Sequence, residues 1–104
     1  MPLPTEETIR ETLKQVQDPE LHIDVVNLGL IYKIDRNEEK GDIQVQMSLT
    51  SPACPYGPEI QRQVHDTTSR MEGVKSVQVN ITLYPPWDPR TMASDEAKDI
   101  LGIF

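Results

Sequence analysis

The sequence predicts an α/β fold, a two-layer αββαβα sandwich on a small mixed three-stranded sheet. Ile43, Val45, Met47 and Leu49 alternate with polar residues, as do Val77, Val79, Ile81 and Leu83, which is the period-two pattern of strands with one buried face. Between these two runs lies a segment of helical periodicity, and strand–helix–strand crossovers join parallel strands. A polar turn ending in Gly41 joins the earlier run to a further apolar segment as a hairpin, so the sheet must be mixed.

Each element has its own local cause. Thr5 caps a first helix with Glu6 and Glu7 in its opening turn, and Ile9, Leu13 and Val16 form its apolar face. The helix is expected to stop near Asp18-Pro19. Leu28 to Ile34 reads as the first strand, Arg36 to Asp42 as the turn, and Ile43 to Thr50 as the second strand. A second helix starts at Pro55, with Cys54 as its cap, or at Pro58, with Gly57 as its cap. It runs to about Met71 with Ile60, Val64, Thr67 or Thr68, and Met71 inward, and Gly73 stops it. The third strand, Val77 to Leu83, halts at Pro85-Pro86 because proline cannot donate to a ladder. Ser94 caps a last short helix carrying Ala97, Ile100 and Leu101, closed by Gly102. With the helices on one face, the other sheet face is left for solvent, the tail or a second subunit, and a homodimer is one expectation.

The chain of 104 residues is read as one domain, 1–104. Its net charge of −7 argues against a nucleic-acid partner, which would reward basic residues through phosphate contacts. Its apolar runs fall short of the ~20 residues that span a bilayer, so no membrane association is expected. One cysteine cannot form an internal disulfide, and no signal-peptide pattern is evident; a cytoplasmic location is expected.

That single cysteine, Cys54, sits in Thr50-Ser51-Pro52-Ala53-Cys54-Pro55-Tyr56-Gly57-Pro58, between a strand and a helix. Unpaired N–H groups and the dipole at a helix start favour a thiolate there. The alternative is a small buried apolar residue. His22 and His65 have no metal-ligand spacing with Cys54, and neither is expected to be a structural ligand. A thiol enzyme would need a positioned base and an orienting group, and no convincing Cys–His arrangement is present.

Three blocks together resemble the SufT-like family of iron–sulfur assembly factors: Asp18-Pro19-Glu20-Leu21 through Asp24-Val25-Val26-Asn27-Leu28-Gly29-Leu30-Ile31-Tyr32, then Met47 to Pro55, then Pro85-Pro86-Trp87 with Met92-Ala93-Ser94. The same domain also resembles PaaD-like proteins associated with a multicomponent phenylacetyl-CoA oxygenase. The resemblance implies an α/β assembly domain and a non-enzymatic maturation factor that helps load clusters onto apo-proteins. It makes Cys54 the cluster ligand or transfer thiol, with Asp18, Glu20, Thr50 and Trp87 in supporting or partner-binding roles. A single cysteine cannot satisfy a cluster that takes four ligands, so any bound iron–sulfur cluster would be transient and shared between chains. Assembly machinery and apo-protein clients are the implied partners. The alternative is an adaptor of PaaD-like kind that recruits clients or machinery without carrying a cluster.

Other roles at these positions are structural. Asp18 before Pro19 is also an ordinary turn residue, Thr50 a β-branched strand end, and Trp87 a core plug. Asn27 and Gly29 are expected to shape the backbone through positive φ or close approach. The chain departs from the family's usual pattern with Ala53 where glycine is common, Asp88 where a hydroxyl residue follows the tryptophan, and His22 where a small residue is usual.

Overall fold

Thr5 opens α1 (Glu6–Leu13) by accepting the Thr8 N–H, as its position predicts. The computed structural model describes residues 3–19, 21–50 and 56–102. Within them follow β1 (Ile31–Asn37), β2 (Asp42–Met47), α2 (Gly57–Ser69), β3 (Ser76–Ile81), α3 (Pro89–Met92) and α4 (Asp95–Leu101). The strands lie in the order β1-β2-β3, with β1 antiparallel and β3 parallel to β2. This is the mixed sheet the hairpin and crossover require.

One core joins the two layers. Ile9 and Leu13 of α1, Ile60 and Val64 of α2, and Ile34, Ile43, Val45, Met47 and Val79 of the strands are buried in a single cluster. The opposite sheet face carries Lys33, Asp35, Gln44, Gln46, Gln78 and Asn80, all exposed. It is a polar, solvated surface.

Several boundaries differ from expectation, each for a local reason. α1 ends at Leu13 instead of near Asp18, yet Val16 remains buried because the chain turns back on itself: Val25 N–H donates to Val16 O at 2.9 Å. β1 starts at Ile31, not Leu28. Asp24 accepts the Asn27 N–H at 2.9 Å and its side-chain amide at 2.6 Å, closing a turn that holds Leu28 to Leu30 out of the ladder. The strand continues to Asn37, so Arg36 and Asn37 of the expected turn belong to the ladder.

β2 ends at Met47, so the alternation does not extend to Leu49. Ser48, expected outward, is buried and its N–H donates to Leu30 O at 2.8 Å. β3 ends at Ile81, and Leu83 is 48% exposed instead of inward. α2 begins at Gly57 with Tyr56 as cap, which excludes Cys54 as the cap residue and places Pro58 in the first turn. Thr68, not Thr67, is the fully buried threonine, and its hydroxyl donates to Val64 O at 2.8 Å.

The last helix is as predicted, with Ser94 accepting the Ala97 N–H and Gly102 in the left-handed conformation. Ile100 is 69% exposed, so the helix buries Ala97 and leaves Ile100 outside. The unexpected element is α3. Asp88 caps it by accepting the Arg90 N–H at 3.0 Å, with Pro89 in its first turn. Asp88-Pro89 was its sequence signal. Asp88, which departs from the family pattern described above, thus has a capping role of its own in this chain.

Candidate functional site

Because β2 and β3 are parallel, their C-terminal ends lie side by side, with Met47 opposite Ile81. Residues 48–50 and 82–88, which leave them, therefore emerge at one end of the sheet. This is where α/β sheets commonly bind ligands.

The Asp18 carboxylate is 1% exposed beneath this end. The chain winds round it: Asp18 Oδ1 accepts the Leu21 N–H at 3.1 Å, Asp18 O accepts the His22 N–H at 2.8 Å, and Asp18 N–H donates to Ile23 O at 3.0 Å. The tight winding sets His22 at φ 57°, a left-handed conformation in which a small residue, above all glycine, is less strained. Thr50 Oγ1 donates to Asp18 Oδ2 at a long 3.5 Å. Asp18 is thus both the turn residue that its sequence suggested and a link to the end of the second-strand segment.

On its other side Thr50 meets Trp87. Ser48, Leu49, Thr50, Leu83, Pro86 and Trp87 line a cavity of about 70 Å³. Trp87 is half-buried, and its indole N–H donates to Leu28 O at 2.7 Å. That bond is one of several that fasten the 82–94 segment to the entrance of β1. Tyr32 Oη donates to Pro85 O at 2.9 Å, and Ser94 N–H donates to Asn27 O at 2.7 Å. Gly29, at φ 79°, lies so near Met92 that an added Cβ would overlap its carbonyl. The close approach expected of Gly29 is present. Asn27, expected to act through a left-handed backbone, works instead through its side chain on Asp24.

Three predicted site residues, Asp18, Thr50 and Trp87, therefore converge on the segment that leads to Cys54. Cys54 and Glu20 lie outside the described residues. Among the described residues no group of three His, Cys, Asp or Glu side chains is arranged to hold a metal. His22 is exposed, and His65, expected at the edge of the apolar stripe, is exposed with Nδ1 3.3 Å from Asp66. Little in the amino-acid pattern announces the exposed apolar rim. Tyr56, Leu83 and Tyr84 are 42%, 48% and 84% exposed on the two segments that flank the site. Leu83 was expected inside, and the uncharged run Ser76 to Trp87 was the available signal.

The family model for iron–sulfur cluster assembly proteins matches residues 6–81. The chain belongs to that family. It is 46% identical over 88 residues to the Fe-S protein maturation auxiliary factor SufT of Staphylococcus aureus, covering 85% of this chain and 98% of that protein. It is 43% identical to the Fe-S protein maturation auxiliary factor YitW of Bacillus subtilis, covering 93% of each. The fold matches the crystal structure of a domain of unknown function, DUF59, from Bacillus anthracis with a TM-score of 0.86, at 36% identity over 95% of this chain and 92% of that one.

Proposed function

We propose that this member of the iron–sulfur cluster assembly family acts as a non-enzymatic maturation factor that helps pass a cluster to apo-proteins through the thiol of Cys54. The observation that supports this most is the convergence of Asp18, Thr50 and Trp87 at the joined ends of β2 and β3, on the segment that carries Cys54. The cluster is cargo. Thiolates are its usual ligands, and one cysteine leaves most of its coordination to be filled by a second chain, an exogenous thiol or the client. Transfer is then ligand exchange: a client thiolate replaces Cys54 at iron, and no electron need move. Glu20, beside Asp18 in sequence, is assigned a supporting or partner-binding role.

The exposed Tyr56, Leu83 and Tyr84 favour a second reading, an adaptor that docks clients or assembly machinery without holding a cluster. No helix among the described residues is long and apolar enough to cross a membrane, and we assign the protein to the cytoplasm. Anaerobic reconstitution of the wild type and Cys54→Ala with iron and sulfide separates the readings. Under the carrier reading, the wild type gains visible absorption and iron and shifts in mass on size exclusion, while Cys54→Ala does none of these and stays folded. Two folded proteins that both fail to bind iron would replace the carrier with the adaptor.

A further inference from the structure

The two edges of the sheet are built differently. β1 is blunted: its register shifts between Ile31 and Lys33, and Lys33, Asp35 and Arg36 put charge along it. The Arg36 Nε–H also reaches across to Pro4 O at 2.7 Å. Bulges, charges and covering segments are the means by which proteins keep edge strands from pairing. Among the described residues β3 shows no bulge and no charge, and the Gln61 side chain alone reaches over it. Ser-Val-Gln-Val-Asn-Ile, residues 76–81, is uncharged, free of proline and in unbroken register with β2.

The parity of its ladder shows which main-chain groups face out. Ser76 N–H donates to Gly41 O and Thr82 N–H to Met47 O, so the even-numbered residues turn toward β2 and Val77, Val79 and Ile81 turn outward. Among the described residues, one outward group is met: Gln61 Nε2 donates to Val79 O at 2.7 Å. Beside this bond, Pro58, Gln61, Arg62, His65 and Val79 line a cleft of about 260 Å³.

We propose that the β3 edge and this cleft dock an extended, acidic segment of a client polypeptide, which adds to the sheet as a fourth strand. A row of N–H and C=O groups at strand spacing is complemented by another extended main chain. Charge fixes the side-chain chemistry. In a chain of net charge −7, this cleft is lined by the Arg62 guanidinium and the neutral or protonated His65 imidazole, with Glu59 and Asp66 paired to them at its rim. Arg62 is shared with Glu59 at 2.7 Å, yet remains well exposed and can turn to a second carboxylate.

A second copy fits this edge less well. Gln61 reaches the outward carbonyl of Val79, so α2 stands close over the edge. Pairing two β3 strands would set them about 4.8 Å apart, whereas packed helices need about 8–10 Å between axes, and the two α2 helices would crowd each other. A bare segment brings no helix. Strand addition also gives the docked segment a direction, because β3 runs into the Leu83, Pro86 and Trp87 cavity and lies beside the chain that leads to Cys54.

The inference takes the nature of its partner from the client-transfer reading. Its test is amide hydrogen exchange on the isotope-labelled full chain, with a synthetic peptide of about ten residues alternating valine and glutamate as probe. Saturating peptide is expected to slow exchange at Val77, Val79 and Ile81 at least about tenfold, while a peptide with alternate amides N-methylated has no effect. Arg62→Glu is expected to weaken peptide binding about tenfold, with Arg62→Gln intermediate and both thermal midpoints near that of the wild type. Unchanged exchange at these three amides overturns the proposal. So does a free protein that runs as a dimer with the same amides already protected, which assigns the edge to a second copy. Because Cys54→Ala retains this edge, loss of cluster binding and loss of peptide protection are separate results.

Discussion

Gly29 shows how one residue can fix the site. At φ 79° any side chain is strained, and an added Cβ would also overlap the Met92 carbonyl, which is backbone and cannot turn aside. Gly29→Ala is therefore expected to lower stability by more than about 2 kcal/mol in denaturant titration. A change below about 0.5 kcal/mol would show that the 24–29 turn and the 85–94 segment are not held together as described. The glycine was legible as a backbone requirement, but its neighbour was not, since Met92 is remote in sequence. Asp18 teaches the same lesson. Asp-Pro announces a turn locally, whereas burial of the carboxylate and its contact with Thr50 arise only when the turn and the end of β2 meet.

At the scale of the element, α2 begins without a side-chain cap and carries Pro58 and Glu59 in its first turn. The Arg62 side chain bonds Glu59 and holds its carboxyl below the usual range, with Gln63 adding a second bond in the same direction. A depressed carboxylate contributes stability that is present above its unfolded pKa and is lost as the pH falls through the folded value. Acid titration should therefore weaken the start of α2 at and below the ordinary carboxylate range, and Glu59→Gln should flatten that part of the stability–pH curve. Because the pair is exposed, the effect is small and falls with added salt. Equal acid sensitivity in wild type and Glu59→Gln would refute it. Helix starts at Thr5 and Ser94 were legible because their side chains cap them; the start of α2 was ambiguous because its cap, Tyr56, supplies no such bond.

Over the whole molecule, the long loop 82–94 is fastened to the entrance of β1 by Trp87, Tyr32 and Ser94 instead of by a strand ladder. The segment should unfold with the core. Fluorescence of Trp87, the only tryptophan, and far-ultraviolet circular dichroism are expected to give coincident denaturant transitions. An earlier fluorescence transition would show that the site segment opens while the sheet remains intact. By itself the sequence determined the order of the principal elements, the mixed sheet, the inward residues of its middle strand and the family, because periodicity, caps and motifs are local signals. Tertiary structure alone decided that Ser48 is buried and Leu83 exposed, that Asp18, Thr50 and Trp87 share one end of the sheet, and that Arg36 reaches from one sheet edge to Pro4 while Gln61 reaches the other at Val79. These depend on which distant segments pack together, and the free energy of burial and hydrogen bonding is set by those neighbours, whatever their separation along the chain.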